Sequence, residues 1–121
     1  MSLRASVASL REFQIEKHRR TVTQLETTIA AFDRLVDNLS HEIQTEEDRV
    51  KTHDPTHFAY PTFATAAIRR RDNLMRSSNT LKIQLDAARK TLGEATGELE
   101  AMRKLDANEP IEGPGSLLVL A

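Results

Sequence analysis

Val22, Leu25, Ile29, Phe32, Val36, Leu39, Ile43 and Val50 recur at alternating steps of three and four, with Glu46 in the one polar slot of the series. Such steps keep side chains on one stripe of an α-helix, and their strict repetition is the signature of a coiled-coil seam. Extended backward, the phase reaches Ile15 and the polar His18, whereas Leu3, Val7 and Leu10 lie one residue out of phase. A discontinuity is therefore expected between Leu10 and Ile15, with N-terminal turns that splay or repack.

A second series has the same period: Tyr60, Ala64, Ala67, Leu74, Leu81, Leu85, Ala88, Leu92, Ala95, Leu99 and Met102, interrupted by Arg71 and Ser78. Pro55, Pro61, Pro110 and Pro114 bound the two patterned segments, and a helix interior tolerates proline badly because the ring clashes and removes a donor. Two seams joined by a short connection predict an all-α fold, an antiparallel two-helix coiled-coil hairpin. The expected organisation is helix one over residues 1–53, a turn over 54–61, helix two over 62–107 and a disordered tail over 108–121. Each helix would be on the order of 70 Å long at 1.5 Å per residue. Pro55 after Asp54 and Pro61 after Tyr60 suit a first helical turn.

Polar positions refine this picture. Glu16 with Arg20, Glu47 with Lys51, Asp86 with Lys90 and Glu100 with Lys104 are spaced to support exposed faces. Folding the chain about its turn brings Glu46 level with Ala67 to Arg71, so a register-fixing pair of Glu46 with Arg71 or Arg70 is expected. Gly93 and Gly97 mark a close backbone approach or local fraying in helix two.

Aromatic residues make up only 4% of the chain against 29% charged residues, which is poor material for a globular core and suits long helices. The net charge of -1 favours neither nucleic acid nor its avoidance, so a partner must be recognised locally. With no cysteine, disulfide frameworks and thiol catalysis are excluded, and cytosol is the default compartment. The N-terminal sequence lacks an apolar leader core, and the longest aliphatic run, Leu117 to Leu120, is far short of the roughly 20 residues of a membrane span.

Candidate chemistry is sparse. His53 and His57, with Asp54 between them, have a spacing that on a continuous helix could serve zinc, but Pro55 interrupts it and no third His or Cys is near. Capping or loop packing is the expected role. No phosphate loop, nucleophile elbow or zincin signature occurs, so neither catalysis nor a cofactor is expected. The basic runs "KHRR" at Lys17 to Arg20 and "RRR" at Arg69 to Arg71 are interleaved with acids. A solvated face is their default reading and an acidic protein partner the alternative, ahead of nucleic acid.

The stretch "HDPTHFAYPTF", His53 to Phe63, concentrates two of the four phenylalanines and the single tyrosine at the turn, where a hairpin has least surface to bury them. Capping the helix ends and anchoring a partner are equally good reasons for rings there.

With "LREFQIEKHRR" near the N-terminus, "HDPTHFAYPTFATAAIRRRDNL" through the turn and heptads on both sides, residues 3 to 105 resemble the flagellar type III export proteins of the FliJ family, in their alphaproteobacterial form. The resemblance implies a non-enzymatic, stalk-like coiled coil of the export apparatus. It implies binding to the flagellar export ATPase hexamer and to the cytoplasmic domain of the export gate protein FlhA, and assistance to export chaperones. The location implied is cytoplasmic, peripherally associated with the inner membrane at the flagellar base without insertion into it. The family's gate-binding stripe begins with Phe in a Tyr-x-x-Phe sequence. Here "YPTF" supplies Tyr60 and Phe63, and the continuation falls on Ala67, Arg70 and Leu74, with Phe58 beside it. Lys17, Arg19 and Arg20 are expected to approach the ATPase ring. An injectisome-type secretion stalk or a generic coiled-coil adaptor is the rival reading.

Overall fold

The computed structural model describes residues 2–108; Asn108, expected to begin the tail, ends the second helix, and the rest of the expected tail lies outside the described residues. The architecture is two α-helices, α1 (Leu3–Val50, 48 residues) and α2 (Thr62–Asn108, 47 residues), packed antiparallel, with no strand among the described residues. The chain divides into two compact units. One is Thr21–Ala88; the other joins Met1–Arg20 to Arg89–Ala121, of which residues 2–20 and 89–108 are described.

In the Thr21–Ala88 unit the two seams meet as their period predicts. Val22, Ile29 and Ile43 of α1 are buried with Ala64, Ala67 and Leu85 of α2, and Tyr60 joins them from the turn. Leu25, Phe32, Val36, Leu39, Leu74, Leu81 and Ala88 are half-buried along the same stripes. A stripe this narrow encloses only its central positions, which explains why few side chains vanish from solvent altogether.

Ser78, one of the expected interruptions, is almost fully enclosed, 2% exposed. Its Oγ donates a 2.7 Å hydrogen bond to Oδ1 of Asp33, while Lys82 Nζ stands 3.4 Å from Oδ2 of the same carboxylate. A small hydroxyl at the seam thus lets Asp33 of the facing helix reach in and tie the register. The expected pair of Glu46 with Arg71 or Arg70 does not form. Glu46 takes Arg49, one turn away, at 2.5 Å, and Arg71 takes the neighbouring Asp72 at 3.3 Å. Each of the two thus finds its partner within its own helix. Glu47 is the buried carboxylate instead, and it accepts from Tyr60 rather than pairing with Lys51.

In the other unit α1 runs unbroken through the region where a discontinuity was expected. Ile15 and Leu99 form its buried core, and the seam continues backward through half-buried Arg11, Ala8 and Val7. Leu3 and Leu10 remain outside, so the phase shift changes which side chains are covered and leaves the backbone helical. Interhelical ion pairs join Arg4 to Asp106 (2.7 Å), Arg11 to Glu98 (3.2 Å) and Arg103 to Glu12. Glu16 pairs with Arg19 at 2.6 Å, three residues on, in place of the Arg20 expected. Gly93 and Gly97 sit inside α2 with open space around them: a Cβ at either would meet nothing within 4 Å. They produce neither a close approach nor a break in the helix.

The connection is tighter than the prolines alone suggest. Lys51, at φ 58, adopts the left-handed conformation just past α1, and the Thr52 N–H donates to the Glu47 carbonyl at 3.1 Å, the six-to-one bond of a Schellman cap. Asp54 then accepts from the backbone N–H and the hydroxyl of Thr56, at 2.9 and 2.7 Å. Successive turns are closed by His57 N–H to the Asp54 carbonyl and Tyr60 N–H to the His57 carbonyl, both 3.0 Å. Only Pro61 stands at the start of a helix. Pro55 lies within the first of these turns, and the Pro61 carbonyl accepts from Thr65 N–H, which places Pro61 just ahead of α2.

Candidate functional site

Turn geometry sorts the three aromatic residues into two kinds. Tyr60 ends the second turn with its ring directed between the helices, buried, and its hydroxyl donates to Oε2 of Glu47 at 2.8 Å. Burial first, and the neighbouring carboxylate second, push the phenol up to about 12. Phe58, two residues earlier, is 96% exposed and stacks on the His57 ring at 4.6 Å between centroids. His57 is held by its own backbone, Nδ1 accepting the Ala59 N–H at 3.0 Å. Phe63, on the first turn of α2, is 55% exposed.

Phe63 forms one wall of a shallow groove with Ala66, Ala67 and Arg70 of α2, and Leu39 and Glu42 of α1 form the other. The groove offers an apolar floor with a cation on one side and a carboxylate on the other. Of the residues expected to meet an export gate, Phe58, Phe63 and Arg70 are accessible, and Leu74 is half-buried. Tyr60 and Ala67 belong to the core; Ala67 reaches the surface only as the groove floor. Leu39 and Glu42 were not anticipated as lining residues, although Leu39 already stood in the α1 seam opposite this part of α2.

His53 and His57 do not converge. His53 Nε2 lies 2.8 Å from Oδ1 of Asp48, and this hydrogen bond holds the Asp48 carboxyl below its usual range. Asp54 is likewise held low, by the Thr56 hydroxyl and N–H. No group of three or more metal-ligating side chains occurs among the described residues.

Lys17, Arg19 and Arg20 are all exposed but do not form one patch. At 100° per residue Lys17 and Arg20 share a face of α1, while Arg19 stands about 160° around from Lys17. Arg19 lies beside the seam, where it pairs with Glu16 and borders a groove with Ile15 and Leu99. No helix among the described residues is long and apolar enough to cross a membrane.

No family model matches the chain, and no curated protein or solved structure is similar to it.

Proposed function

We propose that this chain is a non-enzymatic docking component of a bacterial flagellar type III export apparatus. In this reading it binds the export ATPase hexamer and the cytoplasmic domain of the gate protein FlhA, assists export chaperones, and works in the cytoplasm peripheral to the inner membrane at the flagellar base. The resemblance of the turn segment to the FliJ family motivates the reading. The observation that carries it is the exposure of Phe58 and Phe63 on either side of a buried Tyr60. A turn that leaves its two phenylalanines in water while enclosing the more polar ring between them has surface suited to a partner.

Phe63 then anchors the gate contact, with Arg70 offering a cation at the groove edge and Phe58 extending the apolar surface. The ATPase contact falls on Lys17 and Arg20, with Arg19 reserved for its pair with Glu16. The test is Phe63→Ala in the full chain, with binding to the cytoplasmic domain of the gate and stimulation of the ATPase measured separately. Gate binding is expected to weaken by about tenfold or more, the behaviour of an aromatic anchor, with helix content and ATPase stimulation unchanged. Unchanged gate binding removes the assignment. Loss of helix content assigns Phe63 to the fold instead.

A further inference from the structure

The out-of-phase leucines of α1 form a face of their own. Leu3, Leu10 and Phe13 are 82%, 57% and 59% exposed, and together with Ser6 they follow steps of three and four on the side of the helix away from Ile15. The next two positions of this series are Lys17 and Arg20. No Asp or Glu occupies positions 3, 6, 10, 13, 17 or 20. Glu16 borders the stripe and pairs with Arg19, while Glu12 lies toward the seam and pairs with Arg103.

We propose that this stripe is a second coiled-coil seam, and that its occupant is an α-helix of another protein, apolar opposite Leu3, Leu10 and Phe13 and acidic opposite Lys17 and Arg20. Heptad spacing selects a helix, since a strict series of three and four is the narrow seam that knobs-into-holes packing fills. A lipid surface calls for a broad apolar face, and here the stripe is a single side chain wide with the Glu16 carboxylate beside it. The same stripe of a second copy offers these cations no counter-charge. Parallel pairing sets Lys17 against Lys17 and Arg20 against Arg20, and antiparallel pairing sets these cations against Leu3 and Ser6. An acidic counterpart satisfies both ends of the stripe at once. Because Lys17 and Arg20 also belong to the ring contact proposed above, the inference rests on that contact being helical. The measurement below contains no export component, so the two fail separately.

The probe is a designed helical peptide of about three heptads carrying Leu opposite residues 3, 10 and 13 and Glu opposite residues 17 and 20, titrated into the full chain. A matched peptide has Lys in place of both Glu. The acidic peptide is expected to bind at least about tenfold more tightly than its lysine counterpart, and to weaken by a similar factor with Leu10→Ser/Phe13→Ser or with Lys17→Glu/Arg20→Glu. Restored binding of the lysine peptide to Lys17→Glu/Arg20→Glu keeps the result independent of any loss of folding. Equal binding of the two peptides overturns the proposal. So does concentration-dependent dimerisation, or binding to vesicles of anionic phospholipid, that disappears in Leu10→Ser/Phe13→Ser.

Discussion

The Tyr60 hydroxyl and the Glu47 carboxylate meet at 2.8 Å inside the helix pair, so the end of the connection is tied to the final turn of α1. The Thr52 N–H bonds to the carbonyl of the same Glu47, which makes this residue the point where helix end, cap and turn join. Tyr60→Phe leaves an enclosed carboxylate without its donor and is expected to cost about 1–3 kcal/mol in urea unfolding. Replacing both residues, Tyr60→Phe with Glu47→Leu, should recover part of that loss, because no unsatisfied group then remains.

Tyr60 is the only tyrosine, so phenolate absorbance reports this site alone. Its folded-state value is raised to about 12, above the roughly 10 of an unfolded chain, so burial of the neutral phenol stabilises the fold fully below about pH 10. That contribution is lost as pH rises through about 12. Phenolate formation and loss of helical circular dichroism should therefore coincide in an alkaline titration. Phenolate appearing near pH 10 with helix content intact would show the ring to be outside the seam.

Asp33 behaves in the opposite sense. The Ser78 hydroxyl foremost, and Lys82 after it, hold its carboxyl below the usual carboxylate value. Its contribution is complete above that value and fades as pH falls through the lowered folded-state one. Ser78→Ala is expected to flatten the acid side of the stability profile, as measured by thermal unfolding from neutral to acidic pH. Ser78→Leu, which forces a large side chain into an enclosed site, should cost about 1–3 kcal/mol at every pH.

Periodicity located both seams, and the short connection between Pro55 and Pro61 pointed to their antiparallel pairing. The places where it fell short have a common physical cause. Steps of three and four are equally allowed at a polar slot, so the pattern pointed to Glu46, while the choice of Glu47 depends on a hydroxyl delivered by the turn. The same turn decides that Tyr60 points inward and Phe58 outward, through hydrogen bonds accepted by Asp54 and His57 that no periodicity encodes. Leu3 and Leu10 did register as an anomaly of phase. Their meaning, a second exposed stripe along a continuous helix, required knowing that the backbone does not break.

Gly93 and Gly97 are helical, exposed and uncrowded, so their cost is conformational and nothing in the packing repays it. Gly93→Ala and Gly97→Ala are each expected to stabilise by about 0.5–1 kcal/mol, and additively within error since neither Cβ meets a neighbour. Thermal unfolding of the single and double variants checks this. A loss of stability would mean that some contact occupies the space now open around them.

Lys51 presents the inverse problem. Its left-handed backbone is what turns the chain out of α1 and lets Thr52 close the cap, yet that conformation crowds the Cβ of any residue but glycine. The Lys51 side chain is exposed and Glu47, its expected partner, is engaged by Tyr60, so no ion pair between them is forfeited on replacing it. Lys51→Gly is therefore expected to raise stability by up to about 1 kcal/mol, and Lys51→Val to lower it by at least as much, because branching at Cβ worsens the crowding. Denaturant unfolding of the two variants measures both signs. If glycine destabilises, the cap does not depend on the left-handed residue, and the entry into the Tyr60–Glu47 contact must be set by the Asp54 turn instead.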